Sequence, residues 1–475
     1  MKISTRKLIS LTHPSLNLWH PTVDCFTWNT LIRAYVQRTH QPSSPTHTPL
    51  SIFLRMRFHG VHIDYYTFPF FLQSVHSPPH LQLGRSIHSQ VLVFGFSSDP
   101  FVQTSLISMY TACGDVGSAR DVFDEMSQPD LPAWNSIVNA NVKAGLLSVA
   151  RELFVKMPSR NVVSWSSMLD GYVRWGKCEE ALDLFNEMMK ENEVMPNEYT
   201  MAILLAACEQ LGSLEHGKWA HACVYKLGME INVVLGTSLI EMYAKCGSIV
   251  RARLVFENLG PKKDVMAWSA MISGLAMHGH WEDCLCLFSN MVDSGVMPDD
   301  ITFLGVLSAC VHGGLVSQGK EMFERMSKEF GISPSVQHYG CMIDLYGKAG
   351  LIDEAWNLLN TMPMEPDVLI WGALLSGARI CGDIETCEIA LNKIIEQDRT
   401  NSAAYVLLSN VYAKMGRWKD ARDIRNLMET MKAGTSKSCD AQGYSARVQD
   451  GRFYADVTQV KTSGMHRAGG GNIAV

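Results

Sequence analysis

Three features of the sequence predict an all-α fold, a superhelical solenoid of stacked helix-turn-helix repeats. Trp134, Trp165, Trp268 and Trp371 are separated by 31, 103 and 103 residues. The longer cycle divides into three units of about 35 residues, the length of one helical pair. Apolar residues recur at helical spacing: Trp165, Met168, Leu169 and Tyr172 fall at i, i+3, i+4 and i+7. The same stripe returns as Trp268, Met271, Ile272 and Leu275, and as Trp28, Leu31, Ile32 and Tyr35. A glycine then stands where the helix should close, at 114, 145, 176, 247, 279, 350, 382 and 416.

Junction residues place the units at about 25–64, 65–99, 100–130, 131–161, 162–197, 198–232, 233–264, 265–299, 300–335 and 336–367. The first is long because Arg38–Pro49, rich in Pro, Ser, Thr and His, reads as an inserted loop. The second helix of a unit follows its glycine, as Ala181, Leu184, Phe185 and Met188, matched by Ala150, Leu153, Phe154 and Met157. One pair cannot bury its stripe alone, so neighbouring pairs must stack.

Composition narrows the function. Hydrophobic residues make up 47% and charged residues 19% of 475, enough apolar side chain for a large core and too much for wholesale disorder. No run of 18 apolar residues suggests a membrane span. A net charge of −6 argues against a surface coated in nucleic-acid-binding charge, though it allows a basic groove. The 13 cysteines are odd in number and contain no C-x-x-C pair, so free thiols in a reducing compartment are expected. Residues 1–23 carry Lys2, Arg6 and Lys7 with several Ser and Thr and no acid before Asp24, the composition of an organelle transit segment.

The strings VVSWSSMLDGYVRWGKCEEALDLFNEM, SLIEMYAKCGSIVRARLVFENL and PDDITFLGVLSACVHGGLVSQGKEMF resemble the pentatricopeptide repeat (PPR) family. The mixture of shorter and longer units is similar to the plant subclass that alternates P, L and S repeats. The resemblance covers residues 24–433, with repeats over 24–367. PDVLIWGALLSGARICGDIETCEIA and NSAAYVLLSNVYAKMGRWKDARDIRNLM resemble two E motifs over 368–433. It implies a right-handed superhelix, an organellar single-stranded RNA as partner, and recognition of C-to-U editing sites. A mitochondrial location is expected, with the chloroplast as the alternative. From 434 to 475 the chain departs from the family and reads as a divergent, disordered tail.

One residue after the first-helix aromatic, many units carry a small polar side chain: Asn29, Thr104, Asn135, Ser166, Thr237 and Ser269. The residues closing those units are Asp64, Asp130, Asn161, Asn197, Asp264 and Asp299. Such pairs suit hydrogen bonding to the edges of splayed single-stranded bases. Each closing residue also suits helix capping. The family pattern carried onto these pairs implies a preference for 5′-U-n-G-Y-A-n-G-G-n-n, where n marks units with Pro69, Ala202, Leu304 or Gly340. Phe26, Phe101, Val163, Val234 and Met266 occupy the place that packs beside a base in the family. The alternative for these five is the core.

Three other motifs fail. Gly212–Lys218 and Gly314–Lys320 match G-x-x-x-x-G-K, but Trp219 and Glu321 follow where a phosphate loop needs Ser or Thr, so no nucleotide cofactor is expected. His280-Trp281-Glu282 matches half of a zinc deaminase signature, yet the two further thiolates are absent and no metal is expected. No catalytic residue is assigned, and a deaminase would have to be recruited as a separate partner through the E motifs. Two other readings stand beside editing: stabilisation or splicing of organellar transcripts, and a protein-binding helical scaffold.

Overall fold

The computed structural model describes residues 25–38, 47–75, 77–191 and 194–439. All regular structure among them is helical, and it follows the expected pairs. The α-helices are α1 (Cys25–Arg38), α2 (His47–Phe58), α3 (Thr67–Leu72), α4 (Leu81–Val93), α5 (Pro100–Ala112), α6 (Val116–Asp124), α7 (Leu131–Lys143) and α8 (Leu147–Lys156). They continue as α9 (Val162–Arg174), α10 (Cys178–Glu191), α11 (Glu198–Leu211), α12 (Leu214–Lys226), α13 (Val233–Lys245), α14 (Ile249–Asn258) and α15 (Val265–Met277). The remaining helices are α16 (Trp281–Asp293), α17 (Asp300–Gly313), α18 (Val316–Lys328), α19 (Val336–Lys348), α20 (Ile352–Thr361), α21 (Val368–Cys381), α22 (Ile384–Gln397), α23 (Ser402–Lys414) and α24 (Trp418–Cys439).

The loop expected over Arg38–Pro49 is shorter at both ends. Arg38 still belongs to α1, and α2 already begins at His47. The residues between them lie outside the described part, as do the expected transit segment and residues 440–475. Helix α24 continues through Cys439. It therefore passes the expected start of the tail at 434, where no proline interrupts the chain.

The chain divides into two compact units, Met1–His278 and Gly279–Val475. In the first, each first helix packs on the next: α5 on α7, α7 on α9, α9 on α11, α11 on α13 and α13 on α15. In the second, α17 packs on α19 and α19 on α21. Within each pair the apolar stripes of the first and second helix face each other. Trp165, Met168, Leu169, Ala181, Leu184, Phe185 and Met188 are all buried there. The repeating contact is a second-helix phenylalanine edge-on to the next first-helix tryptophan. Phe123–Trp134, Phe154–Trp165 and Phe256–Trp268 have centroids 4.8, 4.8 and 5.0 Å apart at 74–78°. Edge-to-face geometry of this kind adds attraction beyond area burial.

All eight glycines expected to close first helices have φ between 70 and 82°, a conformation that costs a side-chain-bearing residue strain. At the other ends, Asp99, Asp130, Asn161, Asn197, Asn232, Asp264 and Asp367 each accept a backbone N–H from the helix they precede. Helix starts thus recur at the same register in successive units. Asn161→Ala is expected to lower unfolding stability by about 1 kcal/mol, measured in urea, because the Ser164 N–H loses its acceptor.

Candidate nucleic-acid interface

In helices α5, α9, α13 and α15 the first turn presents three things together: an exposed apolar side chain at its second residue, a buried or half-buried polar side chain at its fifth, and the cap just before it. Phe26, Phe101, Val163, Val234 and Met266 are 46–77% exposed, so they are not core residues. The row also runs through units without an expected reading pair, as Tyr66, Tyr199, Ile301 and Leu369, all exposed. Sequence reasoning misses these four, although their register is the signal. The Tyr66 ring lies tilted against Tyr65 at 4.3 Å and meets Phe101 edge-on at 6.5 Å, an exposed aromatic group fit to receive a nucleobase.

Each expected closing residue accepts a backbone N–H through one oxygen, five of them as helix caps and Asp64 from two residues before the cap position of α3. Asp64 Oδ1 takes the Thr67 N–H, Asp130 that of Ala133, and Asn161 that of Ser164. Asn197 takes the Thr200 N–H, Asp264 that of Ala267, and Asp299 that of Thr302. Capping and base contact are compatible, because a cap uses one oxygen and leaves the second polar atom of the side chain.

Three of the expected pairs are joined in the first unit. Asn29 Nδ2 donates to Asp64 Oδ1 at 3.0 Å. Burial pushes the Asp64 carboxyl up, but hydrogen bonds from Thr67 and Asn29 outweigh it and hold the group below its ordinary value. Asn135 Nδ2 reaches Asn161 Oδ1 at 3.5 Å, while Ser164 Oγ donates to Asn135 Oδ1 at 2.7 Å. Ser166 Oγ lies 2.9 Å from Thr200 Oγ1, which donates to Asn197 Oδ1 at 2.9 Å. Two pairs are not joined: the hydroxyl oxygens of Thr104 and Thr237 are buried without a hydrogen-bond partner. Ser269 is buried in the first unit and Asp299 belongs to the second.

The bridging residues Thr67, Ser164 and Thr200 are absent from the sequence expectations, although Asn or Asp three residues before Ser or Thr is a legible capping pattern. Two helical turns beyond the reading residue, on the same face, stand Lys143, Arg174, Lys245 and Lys348. Arg174 pairs with Asp170 at 2.6 Å, Lys348 with Asp344 at 3.0 Å, and Lys245 with Glu209.

The rejected motifs are repeat features. Gly212 and Gly314 are left-handed helix ends, and Lys218 pairs with Glu215 at 2.7 Å. His280 precedes α16, and Cys284 is fully buried, its thiol pushed up to about 12 by that burial. Among the described residues no group of three His, Cys, Asp or Glu side chains is placed to hold a metal ion. No described helix is long and apolar enough to cross a membrane.

Comparison with known proteins agrees with this architecture. The PPR repeat family model matches residues 160–210 and 263–312, and PPR repeat models match 26–38, 104–128, 132–162, 301–329 and 330–363. The E motif model matches residues 382–438, which hold α22 and α23 and nearly all of α24. The chain is 59% identical over 428 residues to the Arabidopsis thaliana pentatricopeptide repeat-containing protein At3g62890, spanning 89% of this chain and 74% of that one. It is 38% identical to At2g22410, named as mitochondrial, over 86% of this chain and 59% of that protein. It is 46% identical to ELI1, named as chloroplastic, over 73% and 55% respectively; both are also from Arabidopsis thaliana. The repeat register, the family models and these identities together place the chain in the pentatricopeptide repeat family, as a member that carries an E motif.

Proposed function

We propose that this protein binds single-stranded RNA at one base per helical pair and marks sites for C-to-U editing in an organelle. The observation that carries the reading is the repeated register of the first helices. An exposed apolar side chain, a polar pair and, in several units, a cation recur at fixed positions, which supplies stacking, edge recognition and phosphate contact for successive nucleotides. The site residues proposed for base contact are Asn29/Asp64, Thr104/Asp130, Asn135/Asn161, Ser166/Asn197, Thr237/Asp264 and Ser269/Asp299, with the apolar row beside them. Nothing in this reading requires a cofactor or a catalytic residue in the chain.

Fluorescence anisotropy with a labelled RNA carrying U-n-G-Y-A-n-G-G, against a scrambled RNA at fixed salt, tests the binding. Fixed salt matters because phosphate contacts alone give nonspecific affinity. Preference for the coded RNA is expected, and Ser166→Asn should weaken binding of the A at its own step. Equal, weak, salt-sensitive binding to both RNAs would remove the code from the reading.

The editing role rests on the E motif, which leaves Val406 and Trp418 exposed as apolar contacts for a separate deaminase. Loss of the gene should abolish editing at one or a few organellar cytidines; normal editing at every site would end this part of the proposal. The basic, acid-free segment 1–23 supports import, into the mitochondrion as first choice and the chloroplast as the alternative. Fusing it to a fluorescent protein and imaging plant cells distinguishes the two.

A further inference from the structure

A cavity of about 140 Å³ lies where α12 of one helical pair meets α13 and α14 of the next. No residue assigned to base reading lines it. Part of its lining is apolar, from Ile231, Leu254, Val255 and Leu259. Three rings supply the rest of the wall. His221 stacks on Tyr225 with centroids 5.0 Å apart and planes at 26°, and its Nδ1 lies 2.8 Å from the Tyr243 hydroxyl. The other ring nitrogen, Nε2, is buried without a hydrogen-bond partner. Burial and the nearby Arg251 hold His221 below the ordinary histidine value, so the ring is neutral at pH 7. The charge of the cavity is that of Arg251, whose guanidinium stands 6.0 Å from the Tyr243 ring centroid. Asn258 adds a neutral amide.

The repeat itself shows which of these features are packing. Helices α4, α5 and α6 match α12, α13 and α14 in register, 133 positions earlier. There His88 and Tyr110 make the same 2.8 Å contact, so the His–Tyr bond belongs to the architecture. Its surroundings do not. Leu92, Ser118 and Glu125 stand in place of Tyr225, Arg251 and Asn258. Where α18 meets α19 and α20, the matching residues are Ser327, Glu354 and Thr361. Both counterparts thus carry a carboxylate and no cation at these positions, whereas this cavity carries a cation and no carboxylate. Among the described residues Arg251 has no ion-pair partner, and Glu215, which feels its charge, is already held by Lys218 at 2.7 Å. Repeat packing accounts for neither Arg251 nor Tyr225.

Size and chemistry then limit the occupant. An apolar cavity of about 150 Å³ holds one benzene molecule, so there is room for a single six-membered ring. A guanidinium fork matches the paired oxygens of a carboxylate or a phosphate. We propose that this cavity binds a small aromatic anion, one ring bearing a carboxylate or a phosphate. The ring lies against Tyr225 and the apolar lining, and the anionic oxygens accept N–H bonds from Arg251 and the Asn258 amide. A neutral ring forgoes the charge-assisted bond, and an anion without a ring leaves the apolar wall unfilled. His221 and Tyr225 belong to one pair, Arg251 and Asn258 to the next, so the occupant ties neighbouring pairs together.

The site is independent of the RNA reading and is tested without RNA. The full chain is titrated by calorimetry, at fixed salt, with benzoate, phenyl phosphate, benzamide and inorganic phosphate. Benzoate or phenyl phosphate is expected to bind at about 1 mM or tighter, the range open to so small a ligand. It should exceed benzamide and inorganic phosphate by about tenfold, and the tighter of the two anions names the head group. Arg251→Ser, which installs the residue of the first counterpart, should remove that margin. It should melt as wild type, since Arg251 is exposed and unpaired. Tyr225→Leu, likewise the counterpart's residue, should weaken both aromatic anions by about tenfold and leave inorganic phosphate unchanged. If one variant fails to fold, the other decides. Four probes that bind alike, or folded variants that keep the wild-type margin, overturn the proposal.

Discussion

Replacing Thr104 and Thr237 together by valine is expected to cost about 100-fold in affinity for the coded RNA, near tenfold for each step, with no loss of folding stability. The two halves of this result have one cause. Each hydroxyl oxygen is buried and makes no hydrogen bond within the protein, so removing it breaks nothing in the unbound fold. Valine keeps the shape and removes an unsatisfied polar atom, a change that is neutral or stabilising in a buried position. In the complex the same hydroxyl is the donor for a base carbonyl, and its loss leaves that carbonyl desolvated and unpaired. Anisotropy titration and thermal melting of the same samples check both halves. A drop in melting temperature matching the loss of affinity would mean the threonines hold the repeats together and read nothing. Unchanged affinity would remove Thr104 and Thr237 from the base sites.

Gly377→Val is expected to cost about 3 kcal/mol or more and to detach the C-terminal helices from the repeats before them. Helices α19 and α21 cross with Gly347 against Gly377. A Cβ on Gly377 would lie 2.4 Å from the Gly347 Cα, and one on Gly347 would lie 2.9 Å from the Gly377 Cα. Gly217, by contrast, meets the end of the flexible Met242 side chain, which can move aside. At Gly377 the obstacle is backbone, so relief requires the helices to separate. In a stack where each pair touches only its neighbours, the damage stays local. Limited proteolysis should therefore release a fragment containing α21–α24 while α17–α19 stay protected. Protection of the whole second unit at wild-type level would show that the helices can part without losing their packing.

Much of the fold is legible in the amino-acid sequence because the repeat states the same message many times. One tryptophan stripe is a weak signal; its return at Trp28, Trp165 and Trp268, the last two followed by a closing glycine, is a strong one. The insert expected over Arg38–Pro49 is wrong at both ends because turn-rich composition marks where a helix is discouraged, not where packing ends it. Pro49 lies in the first turn of α2, the one place in a helix where proline costs little. Sequence alone does not decide between core and surface for the row of second residues, since an apolar residue in a first turn suits either. Only the packing of the folded chain leaves Phe26, Phe101 and Val163 exposed.

Local spacing along the chain is sufficient for the helical pairs, their caps and the pairing of each reading residue with a closing residue, since these depend on the register repeated in every unit. The state of each pair is not accessible in that way. The contacts of Asn135 and Ser166 reach a side chain some 30 residues on, brought within 3 Å by the stacking of two helical pairs. Such contacts are a property of atoms in space, and one of the atoms here belongs to the neighbouring repeat. For the same reason the glycines at 347 and 377 look ordinary in the chain. Their meaning appears only where two backbones touch.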